Sequence, residues 1–239
     1  MMRLSIIIPV YNEAEELQER ACALAGMLNR QEAFHPSNLE VIYVDGDSSD
    51  ETGSILTHLA QSASFACSVQ VLNSQKGRAR QLNAGAKAAK GRMLWFLHCD
   101  TALTSEALAT LSKLDSKQVW GGFDIKLSAD QAVYRIIEFM INWRSRLSRI
   151  MTGDQGLFAA RSLFFANGAF PDQALMEDIE WCRVMKRQSK PIRISTPITT
   201  SARKWQSEGV FKTIWLMWKL RARYALGAKP EQLVRQYYR

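Results

Sequence analysis

Apolar residues in the N-terminal half come in short unbroken runs with amphipathic stretches between them. Residues 3–9 (RLSIIIP), 39–44 (LEVIYV), 69–72 (VQVL) and 93–97 (MLWFL) lack the strict alternation of a half-solvated strand. All four predict strands, and those at 3–9, 39–44 and 93–97 predict strands covered on both faces. Residues 12–33 predict a helix opened by a capping box, with Asn12 first and Glu15 three residues on. A second helix has Ile55, Leu56 and Leu59 on one face, and Asp50 is placed to cap it. QKGRARQLNAGAKAAKG, residues 75–91, predicts a loop and an alanine-rich helix ending at Gly91.

Strands alternating with helices at this spacing predict an α/β fold, with a mostly parallel central sheet and helices on both faces. Ligands of such sheets bind beyond the carboxyl ends of the strands. The polar clusters at 11–13, 45–50, 76–80 and 98–100 all fall there.

The second half is less regular. Residues 119–127 predict a strand, and 133–147 an amphipathic helix with a basic end. Residues 153–164 predict a short strand and helix, and 176–187 a helix with acids in its first turn and bases in its last. Residues 209–227 predict a helix carrying Trp215 and Trp218. No linker, repeat or low-complexity tract intervenes, so we expect one domain over residues 1–205. A helical C-terminal tail over 206–239 would pack on it or lie at a membrane surface.

An apolar fraction of 47% in 239 residues argues against global disorder. The net charge of +8 admits nucleic acid, an anionic membrane surface or a phosphate-bearing small molecule as partner. Four cysteines without a C-x-x-C pair disfavour a zinc site or disulfide framework and suit a reducing, cytoplasmic compartment. The apolar run at the N-terminus is short and closed by Pro9 and acids, which reads as a strand rather than a signal peptide. No stretch is long and apolar enough for a spanning helix.

Each polar cluster has a chemical and a structural reading. Asp45 leaves a buried strand where a carboxylate can accept from ribose hydroxyls or a base N–H, while Ser48 and Asp50 are explained by turn and cap bonding alone. Lys76, Arg78 and Arg80 precede or open a helix, where cations oppose the helix dipole; a diphosphate would relieve both, and a solvated loop is the plainer alternative. His98 and Asp100, two apart on an extended chain, would point the same way and share a divalent ion, Mn2+ or Mg2+, or else merely end a strand. Cys99 would face the packing. Glu177, Asp178 and Glu180 offer a general base near an attacking hydroxyl, or simply complement a helix dipole. In the tail, Lys212, Lys219 and Arg223 flank Phe211, Trp215 and Trp218, which suits an anionic lipid surface or burial on the domain.

The order of SIIIPVYNE, VIYVDGDSSDET, GRARQLNAGAKAAKG, LWFLHCDT and MEDIE resembles family 2 glycosyltransferases of the GT-A fold. With GDQGLF and TSARKW added, the chain resembles the radical-SAM/selenodomain-associated transferase 2 subgroup, sometimes linked to arsenosugar biosynthesis. The resemblance implies a nucleotide-sugar donor, UDP-linked, and an inverting, metal-dependent transfer to a small-molecule or lipid-linked acceptor. It implies a nucleoside pocket at Pro9, Tyr11, Glu13 and Asp45, with Arg80 approaching the donor phosphates and Lys76, Arg78, Asn83 and Cys99 completing the donor set. Asp100 would hold the metal, with His98 as its second candidate ligand, and Asp178 would be the base. Asp154, Gln155, Glu177, Arg203 and Trp205 would lie toward the acceptor and diphosphate. Two departures stand out: the turn glycine is displaced to Gly46, before Asp47, and His98 replaces the first acid of Asp-x-Asp.

Two other classes fit part of the pattern. A nucleotidyltransferase would show a glycine-rich basic loop after the first strand, where this chain has PVYNEAEE. A non-enzymatic nucleic-acid or membrane binder would line its cations in one stripe, whereas the N-terminal ones cluster at strand ends. Nucleic acid is not an expected partner.

Overall fold

Seven strands share one sheet in the computed structural model, which describes residues 3–114 and 119–237. The first half is a run of parallel units: β1 (Leu4–Val10), α1 (Ala14–Arg30), β2 (Leu39–Asp45), α2 (Thr52–Gln61), β3 (Ser68–Asn73), α3 (Arg78–Ala88) and β4 (Met93–Phe96). Then follow α4 (Ser105–Ser112), β5 (Trp120–Leu127), α5 (Ala132–Ser148), β6 (Phe158–Ala160), α6 (Arg161–Ala166), α7 (Glu177–Gln188) and β7 (Ile192–Thr200). The tail holds α8 (Arg203–Glu208), α9 (Val210–Ala225) and α10 (Pro230–Tyr237). Strand order is β3-β2-β1-β4-β6-β5-β7, and β6 alone runs antiparallel to its neighbours β4 and β5.

Alternate residues of β1 enter different cores, which explains the unbroken apolar run. Ile6 and Ile8 join Leu17, Leu56 and Leu108, from α1, α2 and α4, on one face. Ile7 joins Ile42, Leu82 and Trp181, with α3 and α7, on the other. Each large side chain buried in this way contributes about 1.5–3 kcal/mol. The chain steps from β1 outward through β2 and β3, then returns to lay β4 on the other side of β1. That reversal opens a crevice at the carboxyl ends of β1 and β4.

Several local expectations are corrected. Asn12 does not cap α1: it adopts a left-handed φ of 51°, its Oδ1 accepts the Ser49 N–H (2.9 Å), and the helix starts at Ala14. The first donors of α1 are satisfied from the next turn instead, Glu13 N by Thr52 Oγ1 (2.9 Å) and Ala14 N by Asp50 Oδ2 (3.2 Å). The acidic turn is thereby stapled to the end of β1. The shifted glycine also has a reason, since a Cβ at Gly46 would lie 2.9 Å from Gln81 Cδ. Gln81, on α3, enters there to donate to Val10 O and Val44 O, at 2.7 and 2.9 Å. The helices end earlier than expected, at Arg30 and Ala88; α4 and β7 lie outside the expected elements, and the expected helical tail is divided into α8, α9 and α10.

Candidate active site

The carboxyl end of β2 opens on a groove of about 400 Å3 lined by Asp45, Asp47, Asn73, Ser74 and Gln75. Asp45 is buried and accepts the Ser48 N–H at 3.2 Å, so one oxygen is held in place by the turn. Lys76 lies over the Tyr11 ring, 3.8 Å from its centroid, which gives the loop before α3 a fixed contact with the end of β1. Pro9 is half-buried near the end of β1, between buried Ile8 and Val10.

Deeper in the crevice, Arg78, His98, Gly153, Glu177 and Asp178 surround a cavity of about 10 Å3. That is room for one water. Arg78, at the first position of α3, pairs with Glu177 (3.4 Å) and touches His98 Nε2. An arginine only donates, so His98 accepts at Nε2 and carries its proton on Nδ1. Burial and the Arg78 charge together hold its pKa well below the usual histidine range, so the ring is neutral. Strand β4 ends at Phe96 and the chain turns, with Thr101 N–H donating to His98 O at 3.1 Å. The extended geometry expected to aim His98 and Asp100 together is therefore absent. His98 Nε2 is spent on Arg78, whereas Asp100 lies nearest Arg20 in electrostatic terms.

Asp178 sits in the first turn of α7. Its Oδ2 accepts the Gly153 N–H at 2.8 Å and its Oδ1 accepts the Ile179 N–H at 2.7 Å. Burial raises its pKa despite Arg78 and these two donors, and burial pushes neighbouring Glu177 up to about 7. Asp100 and Glu13 are likewise raised by burial, and both face Arg20, which pairs with Glu13 at 3.3 Å.

Some expected residues are spent on structure. Gln155 is fully buried, donating to Phe123 O and Ser145 Oγ and accepting from Thr152 N, so it cannot touch an acceptor. Asn83 uses both ends of its amide on the Phe170 backbone, at 2.7 and 3.1 Å, and so holds a loop rather than a donor. Cys99 packs against the main core, and burial pushes its thiol up to about 12; it leaves the donor set. Arg80 is turned outward to Asp172 (2.8 Å) and Gln75 (3.0 Å), so the inward cation of this loop is Arg78. Arg203 pairs with Glu16, and Trp205 packs on the small core around Leu127 and Ala202.

Other groups are left unspent. Buried side-chain atoms without a hydrogen-bond partner include Arg78 Nε, Asp100 Oδ1, Arg144 Nε and Asp154 Oδ1. Arg144 reaches in from α5 to Thr152 Oγ1 (3.2 Å), and the phenol of Tyr237, at the end of α10, is within electrostatic reach of Arg78, Asp154 and Asp178. Sequence reasoning passed over Arg20, Arg144 and Tyr237. Glu16 and Arg20 read as an ordinary surface pair, and nothing local distinguishes the other two. Among the described residues no cluster of three or more His, Cys, Asp and Glu side chains could hold a metal unaided. Two unpaired carboxylate oxygens, on Asp100 and Asp154, nevertheless suit a hard divalent cation whose remaining ligands come from substrate and water.

A family model described as Glycosyl transferase family 2 matches residues 5–189. "Probable glycosyltransferase YdaM" of Bacillus subtilis (strain 168) is 25% identical over 94% of this chain and 55% of its own length. "Undecaprenyl-phosphate 4-deoxy-4-formamido-L-arabinose transferase" of Enterobacter sp. (strain 638) is 29% identical over 52% of this chain and 35% of its own. The chain thus spans about half, or less, of the curated relatives it matches. Among solved structures, a mannosyltransferase from Pyrobaculum calidifontis in complex with GDP-Man and Mn2+ superposes with TM-score 0.66 at 21% identity, over 99% of this chain and 69% of that one. S. aureus TarS 1–349 in complex with UDP superposes with TM-score 0.65 at 18% identity, over 84% of this chain and 60% of that one.

Proposed function

The chain belongs to glycosyl transferase family 2, and on that premise we propose that it moves a sugar from a UDP-linked donor to an acceptor hydroxyl with inversion at the anomeric carbon. It is a glycosyltransferase with the GT-A fold. The observation that carries the reading is Asp178: a carboxylate fixed by two backbone N–H groups, beside a cavity and an arginine.

In this reading the nucleoside lies in the groove at Asp45, with Tyr11 and Lys76 at its edge. Arg78 faces the diphosphate, and neutral His98 keeps its guanidinium turned inward. Asp100 and Asp154 would hold the divalent cation, which supplies charge stabilisation for the departing diphosphate. Asp178 takes the acceptor proton; burial makes it a stronger base than a solvated aspartate. Glu177 and Arg144 stand toward the acceptor, which we take to be a small molecule or lipid-linked, while Arg203 and Trp205 serve the fold through Glu16 and the Leu127 core. The motifs GRARQLNAG, FLHCDT and TSARKW support a place in the radical-SAM/selenodomain-associated subgroup, working in the cytoplasm or at a membrane face.

Thermal-shift screening of UDP, GDP and their sugars, with and without Mn2+, tests the donor claim. Stabilisation by UDP compounds that requires metal is expected. Equal stabilisation by GDP compounds would overturn the UDP assignment, and no response to any nucleotide would overturn the transfer reading.

A further inference from the structure

The outer surfaces of the helices are not alike. The exposed positions of α1 carry no large apolar side chain and are mostly polar, with Glu15, Gln18 and Glu19 among them, as expected where a helix meets water. By contrast, among the described residues every large hydrophobic side chain that is exposed belongs to α5, to α9 or to the residue just past α9. On α5, Ile136, Phe139, Trp143 and Leu147 recur at helical spacing along the solvent face, and the Phe139 and Trp143 rings stack at 6.0 Å. On α9, Phe211, Trp215 and Trp218 do the same, with Phe211 84% and Trp215 72% exposed. These are not unfilled core positions, because each helix already buries its opposite side. Tyr134 and Ile137 of α5 are buried, and so are Thr213 and Leu220 of α9. Val210 and Ile214 of α9 meet Tyr134 and Ile137 in one small core, so the two helices are neighbours.

Charge selects the occupant. Helix α9 carries Lys212, Lys219, Arg221 and Arg223 and no acid. At 3.6 residues per turn, Lys212, Lys219 and Arg223 fall along one flank of the aromatic stripe. Lys212 and Lys219 are exposed, and neither forms an ion pair within the described residues. An aromatic stripe bordered by unpaired cations is the pattern of a helix lying in the plane of an anionic bilayer, aromatic rings at headgroup depth and ammonium groups on lipid phosphates. No described helix is long and apolar enough to cross a membrane.

We propose that α5 and α9 together form a docking face for anionic lipid. The face holds the catalytic crevice against the membrane. On its inner side α5 sends Arg144 to Thr152, next to the Gly153 N–H that holds Asp178. The catalytic carboxylate is thus joined to the docking helix through Thr152 and Gly153, and the acceptor that suits this face is a lipid-borne hydroxyl. Docking itself requires neither donor nor acceptor, so the vesicle experiment succeeds or fails independently of the transfer reading.

Flotation of the whole chain with phosphatidylcholine vesicles, with and without phosphatidylglycerol, tests the proposal. We expect co-flotation with the anionic vesicles, weakening as salt is raised. Lys212→Gln with Lys219→Gln should lower that partitioning roughly 30-fold, and Trp215→Ser with Trp218→Ser more than about tenfold. Phe139→Ser with Trp143→Ser tests α5 separately, and an unchanged melting temperature shows that each variant is folded. Absence of flotation, or unchanged flotation of the folded variants, would overturn the proposal. So would concentration-dependent dimerisation, read by light scattering, that these variants abolish while vesicles are ignored; the face would then bind a second copy of the chain.

Discussion

Replacing Asp178 by Asn separates the chemical from the structural work of that side chain. The carboxylate divides its oxygens between two backbone donors, Gly153 N–H at 2.8 Å and Ile179 N–H at 2.7 Å. An amide has one acceptor oxygen, so one of the two N–H groups would face an NH2 instead. Losing that bond and stranding its donor costs about 1–3 kcal/mol. Part of this is returned, because burial already disfavours the ionised carboxylate. The net effect on folding should stay near 1 kcal/mol, a small part of a domain's stability. Removal of a general base lowers turnover by about 10²–10⁴-fold. Turnover with a UDP-sugar, UDP affinity by calorimetry and the melting temperature should be measured together. We expect turnover to collapse while UDP affinity changes by less than about threefold, because Asp178 faces the acceptor rather than the nucleotide. The wild-type acid limb should lie above the ordinary carboxylate range and disappear in the variant's residual activity. Turnover within about threefold of wild type would refute the base assignment. Equal losses of turnover and UDP affinity would make Asp178 a structural residue.

Asp100→Asn should abolish the Mn2+ dependence of UDP-induced thermal stabilisation; if metal still enhances that stabilisation as in wild type, Asp100 is not a ligand. Glu177 is raised by burial to about 7 in the fold against an ordinary 4.5, so the folded chain holds its proton more tightly. Its contribution to stability is present below about pH 4.5 and is lost as pH rises toward 7, up to about 3 kcal/mol. Glu177→Gln should therefore gain on wild type in chemical denaturation between about pH 5 and pH 8, a difference in which any pH-independent cost cancels; parallel pH curves would contradict the shift. Gly85→Ala would bring a Cβ to 2.5 Å from Ile7 Cγ2 and 3.1 Å from Val44 Cγ2, both in packed strands. The melt should report a loss of about 1–3 kcal/mol, and an unchanged melting temperature would mean that α3 is not seated as described.

The N-terminal units were legible because β1, β2 and β4 are buried on both faces and their helices on one, the edge strand β3 being only half-buried. Ile6, Ile7 and Ile8 need no partner information to declare a buried strand. The second half hides its architecture for identifiable reasons. Strand β7 contains Pro197 and several threonines, and its register with β5 shifts between Phe123 and Ile125, so no clean period survives. The short strand and helix expected over 153–164 are found as β6 and α6, but three residues of strand carry no pattern that tells its antiparallel pairing. At the site, motif order proposed Asp178, Asp100 and the arginines of the loop before α3, with the resemblance naming Arg80 for the diphosphate. It could not separate Arg78 from Arg80, two residues along the same helix turn, since only the opposing partner decides: Glu177 for one, Asp172 for the other.

The same criterion sorts the remaining candidates. A polar side chain that a motif places at a strand end can serve the fold or the substrate, and hydrogen-bond accounting distinguishes the two. Gln81, Asn83 and Gln155 have their amides engaged by backbone or buried side chains; removing any of them would strand a partner, so their positions are explained without a ligand. Arg78, Asp100, Arg144 and Asp154 each retain a buried atom without a hydrogen bond, Arg78 Nε having only its 3.4 Å ion pair with Glu177. Such atoms are costly to leave unpaired, about 1–3 kcal/mol apiece, and here they carry opposite charges around one crevice. Their convergence at the β1/β4 reversal is accounted for if a substrate carrying both a diphosphate and a cation completes them, the diphosphate on the arginines and the cation on the carboxylates.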